Sequence, residues 1–257
     1  MAYSPDYRTY PGAPGATAAS AVLDAGLRAY MLRVYNWMSS GLLLTGIVAY
    51  AIANTSAINL FYPLVQTPYG MVHTTGGLAW VAIFSPMAFF LVLQIGINKL
   101  SRSTAQLLYW LFCLAMGASL TNIFLIYTST SIVRVFFITA ATFAAMSIYG
   151  YTAKADLSRW GSFLIMGLIG VILAMVVNMF LQSTAMQFVI SVVGVLVFTG
   201  LTAYDTQRIK TTYLQYAYAD GTDQAAKRSI FDALGLYMNF INLFLMLLQL
   251  LGTGNRR

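Results

Sequence analysis

Residues 188–210 read FVISVVGVLVFTGLTAYDTQRIK. No side chain from Phe188 to Tyr204 carries a charge, and then Asp205, Arg208 and Lys210 arrive together. An apolar run of this kind approaches the ~20 residues that an α-helix needs to cross a hydrocarbon core. The carboxylate at its end has two readings, and both stay open. Asp205 is either a headgroup-level group, solvated and offset by Arg208 one turn later, or an ion or proton site in a poorly hydrated crevice.

The rest of the chain repeats the pattern. Of its 257 residues 59% are hydrophobic and 8% are charged, with a mean hydropathy of +0.73, whereas an ordinary soluble domain carries roughly 25% charged residues. Such a surface suits lipid rather than water. The apolar pattern predicts seven spans, at about 34–53, 74–97, 105–127, 132–151, 161–181, 185–204 and 230–251. The expected fold class is therefore all-α, a polytopic membrane protein. Residues 1–27, rich in Pro, Gly, Ala and Tyr and without the apolar core of a secretory signal, read as a flexible cytosolic tail. A transmembrane domain follows over 28–252, and 253–257 form a short C-terminal tail.

Charges and turn residues mark the breaks. NTSAINLFYPLVQTPYG separates the first two spans without a charge, and Lys99 with Arg102, then Lys154, Asp156 and Arg159, separate later ones. The segment Thr211–Ser229, with Asp220 and Asp223, reads as a cytosolic connection, either regulatory or simply solvated. A cytosolic N-terminus puts 11 Lys and Arg residues inside against 3 outside, the expected bias for a multi-pass protein of the cytoplasmic membrane. The seventh segment then crosses fully, or enters and returns. Small residues four apart in span four, Ala140 with Ala144 and Ala141 with Ala145, permit close helix approach.

Several chemistries are disfavoured. Cys113 lies alone in an apolar run, so no disulfide framework is possible, and with His73 as the one histidine a zinc site is not expected. The net charge of +7 is scattered in ones and twos, unlike a nucleic-acid-binding face. A membrane serine protease read from Gly117–Leu120 and His73 lacks the glycine after its serine. An aspartyl one read from Tyr204–Asp205 lacks a following GxGD. A retinal protein needs a lysine in the last span, and 229–251 hold none. No catalytic residue is expected.

Ionisable groups inside a bilayer cost about 2.5–3.5 kcal/mol at mid-helix on insertion scales, so those that remain are functional candidates. Asp205 closes span six, Asp232 opens span seven, Arg134 opens span four and His73 opens span two. Asn122, Asn178, Asn239 and Asn242 are uncharged but deep, and are candidates to face a pore. In FDALGLYMNFINLF, Asp232 and Asn239 are seven residues apart and share a helix face, with Asn242 one turn beyond. Such a stripe faces protein or water, as an ion path or as interhelical hydrogen bonding that holds the bundle.

At these residues the chain resembles the Bax inhibitor-1 family in its bacterial branch. The segments that carry the likeness are MGASLTNIFLIYT, SIYGYTAKADLSRWGSFLIMGLIG, GLTAYDTQRIK and ALGLYMNFINLFLMLLQLLG, and it covers most of residues 30–252. The resemblance implies seven helices with the last one central, enclosed by the other six, and a pH-sensitive calcium leak. It also implies a pair of aspartates, one on each of the last two helices, that share a proton and latch the cytosolic side. Asp205 matches the first. Asn239 stands where the second is expected, in LYMNFINLF rather than LYLDFINLF, and no basic residue between Thr74 and Asn98 matches the family's arginine on the second helix.

Those departures change the expected physics. Two adjacent carboxylates resist joint ionisation, which raises one pKa of the pair and makes a pH switch. Asparagine does not titrate, but its amide can donate to an ionised Asp205 and so imitates a half-protonated pair. The gate expected here is Asp205 with Asn239, and Asp232 as a more distant second acid. Calcium favours several oxygen ligands, so Asp205 with an asparagine carbonyl offers weak, transient contact to a passing ion and no resident cofactor. The expected partners are lipid, calcium and protons. An alternative from the same resemblance is a non-conducting regulator that binds other membrane proteins, such as a quality-control protease.

Overall fold

Each uncharged run becomes a helix, because in hydrocarbon the backbone N–H and C=O groups must be paired within the segment. The computed structural model describes residues 14–67, 70–97, 99–216 and 222–255. Its elements run α1 (Pro14–Ala53), α2 (Ile58–Phe61), β1 (Leu64–Thr67), β2 (Gly70–His73), α3 (Gly77–Gly96), α4 (Arg102–Leu120), α5 (Ile123–Ile126), α6 (Ser129–Thr152), α7 (Ser158–Leu181), α8 (Thr184–Tyr216) and α9 (Thr222–Leu251). Among the described residues seven spans are long and apolar enough to cross a membrane, with α4 and α5 together making the third. The protein is an all-α polytopic membrane protein. The uncharged break after α1 holds a small antiparallel hairpin, β1 with β2, and His73 Nδ1 lies 2.6 Å from the Tyr62 carbonyl oxygen there. His73 therefore belongs to this connection and not to a span.

The last helix is the core. Of its most apolar window 61% is buried, against 11–39% in the other six spans. Apolar residues occupy nearly every face of ALGLYMNFINLFLMLLQLLG, as a helix surrounded by protein requires. Phe240 packs edge-on to Phe136 and Phe143 of α6, Tyr237 packs on Phe112 of α4, and the Tyr237 hydroxyl lies 2.7 Å from Thr45 Oγ1 on α1. α9 packs chiefly against α1, α4, α6 and α8, whereas α3 lies outside on α4 and α7 outside on α8. The enclosing ring is thus mostly these four helices rather than all six.

Three further expectations change, and one left open is resolved. The tail expected over 1–27 is already helical from Pro14, with Leu27 and Tyr30 buried; residues 1–13 lie outside the described residues. Much of Thr211–Ser229 is helix rather than loop, since α8 continues to Tyr216 and α9 begins at Thr222; Asp220 is outside the described residues. At 1.5 Å per residue α8 and α9 are about 50 and 45 Å long, longer than the ~30 Å hydrocarbon core. Nothing breaks α9 between Thr222 and Leu251, so the segment does not enter and return. Its C-terminal continuation is tied down at the far end: Thr253 N–H donates to Ser131 Oγ at 2.9 Å and Asn255 N–H to the Ile126 carbonyl at 2.7 Å.

Close approach in α6 depends on a different small residue from those expected. Ala141, Ala144 and Ala145 are exposed, while Gly150 is buried where a Cβ would overlap the Ala203 carbonyl of α8. Lipid tails are as apolar as leucine, so helices associate in a bilayer through such packing rather than through apolar burial. Gly150→Ala is expected to lower the stability of the purified protein in detergent by about 1–3 kcal/mol. Gly170→Ala, with nothing within 4 Å of the new methyl, is expected to be neutral or stabilising. Thermal unfolding of the two variants side by side checks this.

Candidate functional site

The polar cluster of TAYDTQRIK fastens the basic end of α8 to its neighbours, each side chain to a different one. Gln207 accepts from Leu157 N–H at 2.7 Å and donates to the Ala155 carbonyl at 2.8 Å, holding the α6–α7 connection. Lys210 Nζ donates to the Tyr151 carbonyl at the end of α6, 2.8 Å away. Tyr204 fills the space left by Gly161 on α7, where a Cβ would meet its ring at 2.6 Å. These ties fix the rotation of α8, and that rotation turns Asp205 toward α9.

Asp205 is buried, and so is Asn239. Asn239 Nδ2 donates to Asp205 Oδ2 at 2.7 Å, a buried bond between α8 and α9. Arg208, one turn along α8, approaches the other oxygen, Oδ1, at 3.0 Å. Asp205 is thus enclosed against the last helix rather than solvated, while Arg208 offsets its charge as its position one turn later leads one to expect. An ionised carboxylate out of water requires such partners, and here the amide and guanidinium engage both its oxygens. The arginine that the resemblance leads one to seek on the second span is absent, and Arg208 of the same helix takes up the charge instead.

Asp232 lies two turns toward the basic end of α9. It accepts from the Tyr30 hydroxyl of α1 at 2.6 Å and is within electrostatic reach of Arg208, Arg228 and Asp205. The last helix is thus latched to α8 by Asn239 and to α1 by Asp232. Tyr30 was not legible as a partner, because it falls at the junction between the expected tail and the first span.

The remaining candidates separate. Asn242 is half-buried one turn beyond Asn239. Asn178 is at the opposite end, where Nδ2 donates to Gln187 Oε1 at 3.0 Å and Oδ1 accepts from Ser183 N–H at 3.0 Å, closing the α7–α8 turn. Asn122 precedes the short α5, also at the far end, and its side chain caps nothing. Neither joins the Asp205 cluster. Gln249 of α9, unremarked in the sequence, accepts from Ser191 Oγ of α8 at 2.8 Å; its signal was a lone amide in the apolar run LLQLL. Arg134 is exposed on α6.

Among the described residues no group of three or more His, Cys, Asp or Glu side chains gathers to hold a metal. What the cluster offers chemically is a single buried carboxylate held by one amide and one guanidinium.

Comparison with known proteins points the same way as the four quoted segments. The family described as "Inhibitor of apoptosis-promoting Bax1" matches residues 27–256. The chain is 44% identical over 233 residues to the inner membrane protein YbhL of Escherichia coli (strain K12), covering 91% of this chain and 94% of that one. It is 43% identical over 242 residues to a protein of Rickettsia prowazekii (strain Madrid E), covering 94% and 95%. It is likewise 43% identical over 251 residues to a protein of Caulobacter vibrioides, covering 97% and 98%.

Proposed function

The chain belongs to the Bax inhibitor-1 family, and from that premise we propose that it is a cation leak channel of the cytoplasmic membrane. Calcium is its cargo, and Asp205 facing the last helix is its proton-modulated gate. The observation that carries this reading is the 2.7 Å bond from Asn239 to a buried Asp205 whose second oxygen meets Arg208. A bond of that kind joins α8 to α9 near the basic end, where opening it would free a carboxylate to face an ion. The positive-inside bias supports a cytosolic location for that end and the N-terminus, and the relative named as an inner membrane protein supports the membrane assigned.

In the closed arrangement the amide and the guanidinium occupy the carboxylate. A calcium ion entering from either side competes for the same oxygens, and with so few ligands it binds weakly and leaves readily. Asparagine at 239 has no proton to lose, so the pair lacks the coupled titration of two acids. The remaining pH response comes from the carboxyls of Asp205 and Asp232, which lie beside Arg208 and Arg228, and is shallower than that of a two-aspartate relative.

The test is flux through the purified protein in vesicles loaded with a calcium dye. Wild type is expected to leak above empty vesicles. Asp205→Ala is expected to leak about tenfold less, because a passing cation loses its buried carboxylate and meets an uncompensated Arg208. Vesicles as tight as empty ones would instead favour the non-conducting regulator.

A further inference from the structure

α1 and α6 each pack on α9, and between them opens a lateral groove of about 1080 Å³ with Phe240 of α9 in its floor. It runs along α1 from Arg28 to Tyr50 and along α6 from Phe136 to Tyr151. From Arg28 to Tyr50 of α1 that is about 33 Å, comparable with the hydrocarbon thickness. Two alanines of α6 belong here: half-buried Ala140 and exposed Ala144 line the wall, and their small side chains leave the space open.

Polarity in the groove follows an order. Exposed Arg28 is at its mouth, at the same end as Tyr151, whose carbonyl and ring hold Lys210 Nζ at 2.8 Å and 5.1 Å from the centroid. One turn deeper is Ser147, 5% exposed, whose Oγ has no hydrogen-bond partner. The rest of the lining is apolar but for Ser39 and the hydroxyls of Tyr35 and Tyr50, all on α1. A buried hydroxyl left without a partner costs free energy in a dry site, and one at the edge of a groove is satisfied by whatever lies there.

We propose that this groove binds a phospholipid from the leaflet at the basic end. Its phosphate sits at Arg28, an ester carbonyl accepts from the Ser147 hydroxyl, and its acyl chains follow the apolar walls. The descending sequence of cation, donor and hydrocarbon matches the chemical order of a phospholipid from headgroup to tail, and basic pockets between spans on the cytosolic side are suited to anionic headgroups. A second copy of the chain fits less well, because a two-fold pair would set the same concave surface against itself. A foreign helix would leave the grading of polarity unexplained.

The test uses the full chain in mild detergent, titrated with dioleoyl phosphatidylglycerol and followed by native mass spectrometry. Wild type is expected to retain one lipid per chain in preference to further ones. Ala144→Trp, which fills the groove, should weaken that retention about tenfold or more, and Arg28→Gln about fivefold. Leu196→Trp, on the exposed side of α8, should leave it unchanged. Because Arg28 is exposed, its variant reports on binding even if the tryptophan variant does not fold. Equal retention by wild type, Ala144→Trp and Arg28→Gln would overturn the proposal. So would a chain dimer or a co-purifying protein that Ala144→Trp removes.

Discussion

Asn239→Asp is expected to turn a shallow dependence of calcium flux on pH into a steep one, with a change of about tenfold or more across roughly two pH units. The side chain at 239 now donates to Asp205 Oδ2 at 2.7 Å. A second carboxylate at that distance cannot ionise freely beside the first, so the two hold one proton between them. At acidic pH the shared proton keeps an O–H···O bond between α8 and α9, and flux is low. As pH rises the proton is lost, the two negative groups repel, and flux increases. Arg208 beside Asp205, with Asp232 and Arg228 on α9 and Tyr30 on α1, sets where the step falls. Dye flux measured at a series of pH values, wild type beside the variant, checks this; parallel profiles would remove the amide from the account of gating.

Asn239→Leu is the second large expectation and has the opposite logic. It keeps the charge of Asp205 and removes the donor that holds it. A hydrogen bond to a charged group is worth about 1.5–3 kcal/mol. If that energy is present in the closed arrangement and absent in the open one, its loss shifts the balance about tenfold to a hundredfold toward the open one. Flux at neutral pH should rise accordingly, while Asp205→Ala lowers it. Opposite signs from two changes to one bond distinguish a latch from a merely structural contact, which would weaken in both variants alike.

The seven-helix architecture was legible because lipid imposes a coarse requirement, a long uncharged run with charged ends, and Phe188–Lys210 meets it plainly. The pairing of Asp205 with residue 239 was legible through the likeness of GLTAYDTQRIK and LYMNFINLF to a known pattern. Other features depended on packing, which hydropathy does not encode. Thr211–Tyr216 contains neither Gly nor Pro, so α8 continues past the bilayer, although its polar composition also fits a loop. Asn122 and Asn178 are polar in apolar surroundings, as Asn239 is, yet they mark helix ends at the far side. Composition alone does not separate an asparagine that ends a helix from one that faces a carboxylate. Ala140 and Ala144 of α6 likewise satisfied a spacing rule for helix contact, and both line an open groove.

The most direct test exchanges the two residues. Asp205→Asn combined with Asn239→Asp keeps one carboxylate facing one amide across the same α8–α9 contact, whereas Asp205→Asn alone leaves two amides and no acid. If that contact is the gate, calcium flux in dye-loaded vesicles should fall about tenfold in the single variant and return to within roughly threefold of wild type in the exchanged one. An exchanged protein that folds and reaches the vesicles yet stays as silent as the single variant would contradict the account.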